Sequence, residues 1–230
     1  MDVGYTKGVA FICEGETEKE FYYSLLEREC RKVGVELIHQ TSQETSEVYD
    51  EITLPDKKII IKSWDCGGIH NVNQAGPWFR TECTLRYKTI EWLVFLCYDT
   101  ETYQEDITAI GEKDWMTLEK NLPKKKVSVY HVAAAADIED AMLVDLEGIC
   151  RFLSCKPVNI EDLKGRKGKV KLKNLYRANG QTYHEGSRAR DLIDSLDMEK
   201  IIESGILPLK DMICSIFGTL TETTEKHPKS

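Results

Sequence analysis

No apolar run in this 230-residue chain approaches the roughly 20 residues that a membrane-spanning helix requires, so no such helix is expected. The opening Met-Asp-Val-Gly-Tyr-Thr-Lys-Gly has an acid and two glycines where a secretory signal would have a basic region and an apolar core. Its eight cysteines contain no Cys-x-x-Cys, and the five histidines are scattered without the spacing of a zinc site. The cysteines fall inside apolar strand and helix patterns, which predicts reduced core residues of a cytoplasmic protein. There is no internal repeat and no low-complexity domain. A net charge of −8 excludes a protein covered in nucleic-acid-binding surface.

What is present is the composition of one soluble domain: 26.3 kDa, 41% hydrophobic and 30% charged. Strand patterns over 9–13, 35–39, 58–64, 92–98 and 127–132 alternate with helical ones over 17–33, 115–121 and 138–153. A helical region also follows Gly67-Gly68 to about residue 91, interrupted at Pro77, and 40–56 reads as a polar loop. This alternation predicts an α/β fold, a mostly parallel sheet flanked by helices with a helical C-terminal addition. Residues 1–155 would form the catalytic unit, 156–217 a basic loop and helical extension of it, and 218–230 a flexible tail.

In such sheets chemistry gathers outside the carboxyl ends of the strands, and three acidic groups are expected there. The first is Glu14-Gly-Glu-Thr-Glu18, where Glu14 leaves a buried strand and Glu18 enters the first helical turn, with Thr17 the expected N-cap. The second is Asp99-Thr-Glu101, after the continuously apolar Trp92-Leu-Val-Phe-Leu-Cys-Tyr. Residues two apart in extended backbone point the same way, so both carboxylates can face one cation. The third is Asp137-Ile-Glu139-Asp140, at a helix start. Each also has a bland reading: Glu14 as a turn residue, Asp99 and Glu101 as a solvated loop pair, Asp137 as a helix cap, Glu139 and Asp140 as first-turn acids, Asp145 as an exposed helix residue.

Taken in order, these segments resemble the Toprim family of topoisomerases, primases and nucleases. In that family an apolar strand ending in Glu-Gly, with a downstream Glu, precedes a second strand ending in Asp-x-Asp; here Glu101 replaces the last Asp. The likeness extends over residues 8–155 and is nearest to stand-alone Toprim-like and OLD-type nuclease domains linked to mobile elements and phage defence. Those domains carry a later Ile-Glu-Asp segment, matched by Ile138-Glu139-Asp140. The resemblance implies a metal-dependent nuclease hydrolysing DNA or RNA, with Glu14 as general acid or base. Hard Mg²⁺ or Mn²⁺ ions would be held by Glu18, Asp99 and Glu101, with Glu139 and Asp140 as further ligands. The alternatives are a non-catalytic Toprim-like subunit acting through a partner such as an ATPase, and a phosphatase or nucleotide hydrolase using the same carboxylates.

Between Lys156 and Arg177 the local charge is +6, on a body that carries −14. Lys164, Arg166, Lys167, Lys169, Lys171 and Lys173 occupy six of ten positions, without the Gly-Lys-Ser/Thr ending of a phosphate-binding loop. They read as a phosphate-contacting arm for nucleic acid, or as a solvated basic loop. The following Tyr183-His-Glu-Gly-Ser-Arg188-Ala-Arg190 either adds a histidine and two arginines to the pocket or caps the next helix.

Overall fold

The computed structural model describes residues 4–42, 47–100 and 110–218. In chain order the sheet region comprises β1 (Lys7–Cys13), α1 (Glu16–Lys32), β2 (Leu37–Thr41), β3 (Val48–Thr53), β4 (Lys58–Asp65), α2 (Val72–Trp78), β5 (Glu91–Asp99), α3 (Ile110–Asn121) and β6 (Val127–Ala134). The helices α4 (Ile138–Met142), α5 (Leu146–Phe152), α6 (Gly168–Ala178), α7 (Arg190–Ser195), α8 (Met198–Ser204) and α9 (Leu209–Phe217) follow. The fold is α/β. Its six strands run in the order β2-β3-β4-β1-β5-β6, with β4, β1, β5 and β6 parallel and β3 antiparallel to both of its neighbours.

The middle strands form because both of their faces are apolar. Along β1, Val9, Phe11 and Cys13 face α1 and the C-terminal helices, while Ala10 and Ile12 face α2 and α3. On the first face Phe11 stacks on Phe95 of β5 with centroids 5.4 Å apart. Helices α6 to α9 contribute Leu172, Ile193, Ile201 and Ile216 to this same core. Among the described residues no helix is long and apolar enough to cross a membrane.

Several local expectations need correction. Residues 40–56 are not all loop, because they contain β3. Its buried Asp50 and Glu51 disguise the strand pattern, and both are satisfied by side chains outside β3. Tyr23 and His39 bond to Asp50 at 2.8 and 2.9 Å, while Tyr5 and Lys58 bond to Glu51, each at 2.9 Å. The helix expected over 138–153 breaks at Leu143–Asp145. Asp145 is buried there, not exposed. It caps α5 through Gly148 N–H at 3.1 Å and accepts Asp197 N–H at 2.8 Å. Pro77 does not end its helix; the chain continues through 79–84 in wider, π-type turns, which accommodate a missing backbone donor.

The strand order reverses at β1, since the chain leaves β1 toward β4 on one side and reaches β5 and β6 on the other. The crevice beyond the carboxyl ends of β1 and β5 is therefore the place for a ligand. Gly8 on β1 leaves room for the ring of buried Trp92 on β5, because a Cβ there would lie 2.5 Å from it. Gly8→Ala is expected to destabilise the fold by about 1–3 kcal/mol through overpacking. Thermal unfolding monitored by circular dichroism would read this as a Tm lowered by several degrees, and an unchanged Tm would contradict it.

Candidate functional site

At the carboxyl edge of β1 the chain turns out of the sheet under strong backbone restraint. Glu14 N–H donates to Cys97 O at 2.9 Å, and Glu14 O accepts Gly68 N–H at 2.8 Å. The Glu14 side chain reaches toward β5, where its Oε2 accepts the Asp99 N–H at 3.3 Å. Glycine at position 15 leaves room for Glu18 to fold back over the turn, since a Cβ there would lie 3.1 Å from Glu18 Oε2. Thr17 is not the N-cap. The helix begins one residue earlier with Gly15 as cap, and the buried Thr17 hydroxyl instead accepts Gly186 N–H at 2.8 Å. That contact fastens the 186–189 turn to α1.

The opposite wall comes from the start of α4. Asp137 caps α4, accepting Asp140 N–H at 3.2 Å, and its two oxygens also take Lys169 N–H at 3.2 and 3.1 Å. One carboxylate thus holds the first turns of α4 and α6 together. Gly168 makes the approach possible, because any Cβ there would collide with the Asp140 backbone nitrogen. Glu139 points inward from α4. It is fully buried, and its Oε1 accepts the Tyr183 hydroxyl at 3.0 Å. Lys169 projects from α6 and pairs with Glu185 at 3.3 Å.

These groups enclose a cavity of about 360 Å³ lined by Glu14, Thr17, Glu18, Asp99, Glu139, Lys169 and Glu185. Its electrostatics are governed by burial and by mutual repulsion of the acids. Burial, reinforced by Glu18, Glu139 and Glu14, pushes the Asp99 carboxyl up to about 9. Burial likewise raises Glu18 to about 7, with Glu139 the strongest neighbouring charge that adds to it. Asp137 rises to about 7, through burial and then Glu139. Glu139 and Glu14 are also raised by burial, opposed in both by the Lys169 ammonium. Lys169 itself is held more firmly charged, because Glu139 and Glu185 outweigh the cost of its burial.

Four of the sequence candidates, Glu14, Glu18, Asp99 and Glu139, do come together. Asp140 is in the first turn of α4 but does not line the cavity, and Glu101 lies outside the described residues. Of the basic candidates only Lys169 lines it. Lys173 joins Lys169 on Glu185 at 2.6 Å, Lys164 and Arg166 are exposed, and Lys167 and Lys171 are half-buried. Residues 168–178 are helical rather than an extended arm, with Leu172, Leu175 and Tyr176 in the core. His184 is exposed, and Arg190 is engaged by Glu20, Glu27 and Asp194. Tyr183 carried no signal in the sequence, since its partner Glu139 is 44 residues away.

Among the described residues, which leave out the expected ligand Glu101, no three His, Cys, Asp or Glu side chains are disposed to hold a metal ion. Tyr183 occupies one oxygen of Glu139, both oxygens of Asp137 serve as caps, and a lysine ammonium stands among the acids.

No family model and no curated protein matches the chain. Similar solved structures include a futalosine hydrolase mutant of Helicobacter pylori, at 10% identity and TM-score 0.26, covering 86% of this chain and 97% of that one. Another is the Helicobacter pylori MTAN, at 11% identity and TM-score 0.28, covering 90% and 99%. A third is a Borrelia burgdorferi protein described as a putative 5'-methylthioadenosine/S-adenosylhomocysteine nucleosidase bound to adenine, at 11% identity and TM-score 0.27, covering 91% and 99%. These structures are nucleosidases and not Toprim proteins, and no family model supports the Toprim resemblance. The Toprim assignment is therefore withdrawn, and with it the metal-dependent nuclease, its non-catalytic Toprim-like alternative and the phage-defence role. At such TM-scores the likenesses assign no activity in their place.

A carboxyl whose pKa rises on folding holds its proton more tightly in the folded chain than in the unfolded one. Its contribution to stability is complete below the unfolded values of 3.8 for Asp99 and 4.5 for Glu18, and is lost as pH climbs through about 9 for Asp99 and about 7 for Glu18. The Asp99→Asn variant is therefore expected to gain stability over wild type progressively from pH 5 to pH 9. Tm measured against pH for both proteins tests this, and parallel curves would contradict it.

Proposed function

We propose that the protein is a hydrolase cleaving a glycosidic C–O or C–N bond of a small molecule, with Asp99 and Glu14 as acid and base. The observation that carries this reading is the contrast between two carboxyl groups at adjoining strand ends. Asp99 is 8% exposed, and burial, followed by its neighbours Glu18, Glu139, Glu14 and Asp137, pushes its carboxyl up to about 9. Glu14 is more open, and the Asp99 N–H, Lys169 and Lys167 all work against the effect of burial on it. Paired groups whose environments separate their protonation states supply an acid and a base at one pH.

At neutral pH Asp99 gives its proton to the leaving oxygen or nitrogen as the bond to the anomeric carbon breaks. Glu14, as carboxylate, takes a proton from the water whose oxygen bonds to that carbon. Water is thereby added across the bond, and one further proton exchange with solvent restores both groups. Positive charge develops on the sugar in the transition state, and the acidic walls formed by Glu18 and Glu139 stabilise it. The same field repels a phosphate monoester, which weighs against a phosphatase in this pocket.

Incubation with a panel of nucleosides and aryl glycosides, followed by detection of released base or phenol, tests the proposal. Turnover is expected for wild type, with kcat/KM lowered by about 10²–10⁴-fold in Asp99→Asn and in Glu14→Gln. The alkaline limb of the pH profile should disappear in Asp99→Asn. Full activity in that variant, or no turnover by wild type across the panel, would defeat the reading.

A further inference from the structure

Resting on that reading of the cavity, we infer that its substrate is an organic cation bearing at least two N–H donors, a primary ammonium, amidinium or guanidinium, anchored at Glu139. The inference stands first on two orphaned atoms. Glu139 Oε2 and Asp99 Oδ1 are buried side-chain oxygens that have no hydrogen-bond partner. Glu139 is 0% exposed, Asp99 is 8% exposed, and both line the cavity. Buried acceptors in folded proteins nearly always find a donor, and one left without it is costly. The protein supplies Tyr183 to the other oxygen of Glu139 and nothing to these two, so the donors are to come from the ligand.

Charge makes the same point independently. Glu14, Glu16, Glu18, Glu139 and Glu185 line the cavity beside the protonated Asp99, and among the described residues Lys169 is the one cation lining it. Lys169 is already paired with Glu185. An anionic ligand would meet repulsion from these acids, whereas a cation relieves it. A metal ion would need three or more ligands converging on one point, which the described residues do not provide.

The lining also discriminates among organic cations. Quaternary ammonium groups have no N–H and are recognised by aromatic faces. Among the described residues no aromatic ring lines this cavity, whereas carboxylates form the strong, charge-assisted bonds that N–H cations require. The cavity volume of about 360 Å³ admits a small molecule whose charged end lies at Glu139 while its scissile bond lies at Asp99 and Glu14.

Titration calorimetry of the full chain with agmatine, using tetramethylammonium and Mn²⁺ as comparison ligands, tests the inference. Agmatine is expected to bind, tetramethylammonium to give no detectable heat, and Glu139→Gln to weaken agmatine at least about tenfold. The amide keeps the shape of the side chain and can still accept from Tyr183, and a circular dichroism melt checks that the variant is folded. Should Glu139→Gln not fold, displacement of agmatine by benzamidine but not by tetramethylammonium gives the same reading on wild type. Equal binding of tetramethylammonium, unchanged agmatine affinity in folded Glu139→Gln, or displacement of agmatine by stoichiometric Mn²⁺ would overturn the inference. Hydrolysis of neutral glycosides without agmatine binding would sink it and leave the hydrolase standing. Agmatine binding without turnover of any glycoside would do the reverse.

Discussion

The carboxylate of Asp137 is a joint on which the arrangement of the pocket depends. It is almost wholly buried, and it satisfies backbone donors at the start of two different helices, Asp140 N–H in α4 and Lys169 N–H in α6. The first turn of a helix leaves donors without partners, and here one side chain serves two such turns. The α4 end carries Glu139 and the α6 end carries Lys169. The joint therefore fixes the separation of the deepest acid from the cation that tempers it. Without it α6 would have no polar reason to start at Gly168, and the acids of β1 and β5 would face open solvent.

Much of this was legible in the sequence because it is local. An apolar run followed by Glu14-Gly15, and another followed by Asp99, mark strand ends by hydrophobic pattern and turn chemistry alone. Asp137 was recognisable as a cap for the same reason. What was not legible depends on partners distant in sequence. β3 was hidden because Asp50 and Glu51 break the apolar pattern of a buried strand, and their neutralising partners lie on other elements. Tyr183 was invisible as a site residue, since nothing near it predicts that its hydroxyl meets Glu139. The break at Leu143–Asp145 escaped because both flanking segments share one helical period, while Asp145 bonds to Asp197 far downstream.

The chemical meaning of the acids is the least legible part, for a physical reason. Carboxylates at strand ends look alike in sequence whether they bind a metal ion or hold a proton. The difference lies in how far each is desolvated and in what its oxygens already touch. In this pocket a tyrosine, a lysine and two helix starts have taken much of the available ligand capacity. What remains is a graded set of proton affinities, from the comparatively open Glu14 to the enclosed Asp99.

The bare α-carbon of Gly168 has a consequence beyond packing. Because α4 and α6 meet there backbone to backbone, the root of Lys169 is clamped by main-chain geometry and cannot drift with the side chains around it. Its ammonium extends from that fixed root to Glu185 at 3.3 Å. On the reading proposed above, a cationic solute meets an acid-rich mouth whose described counter-ion is rooted in the main chain, so selection by sign precedes any hydrogen bond.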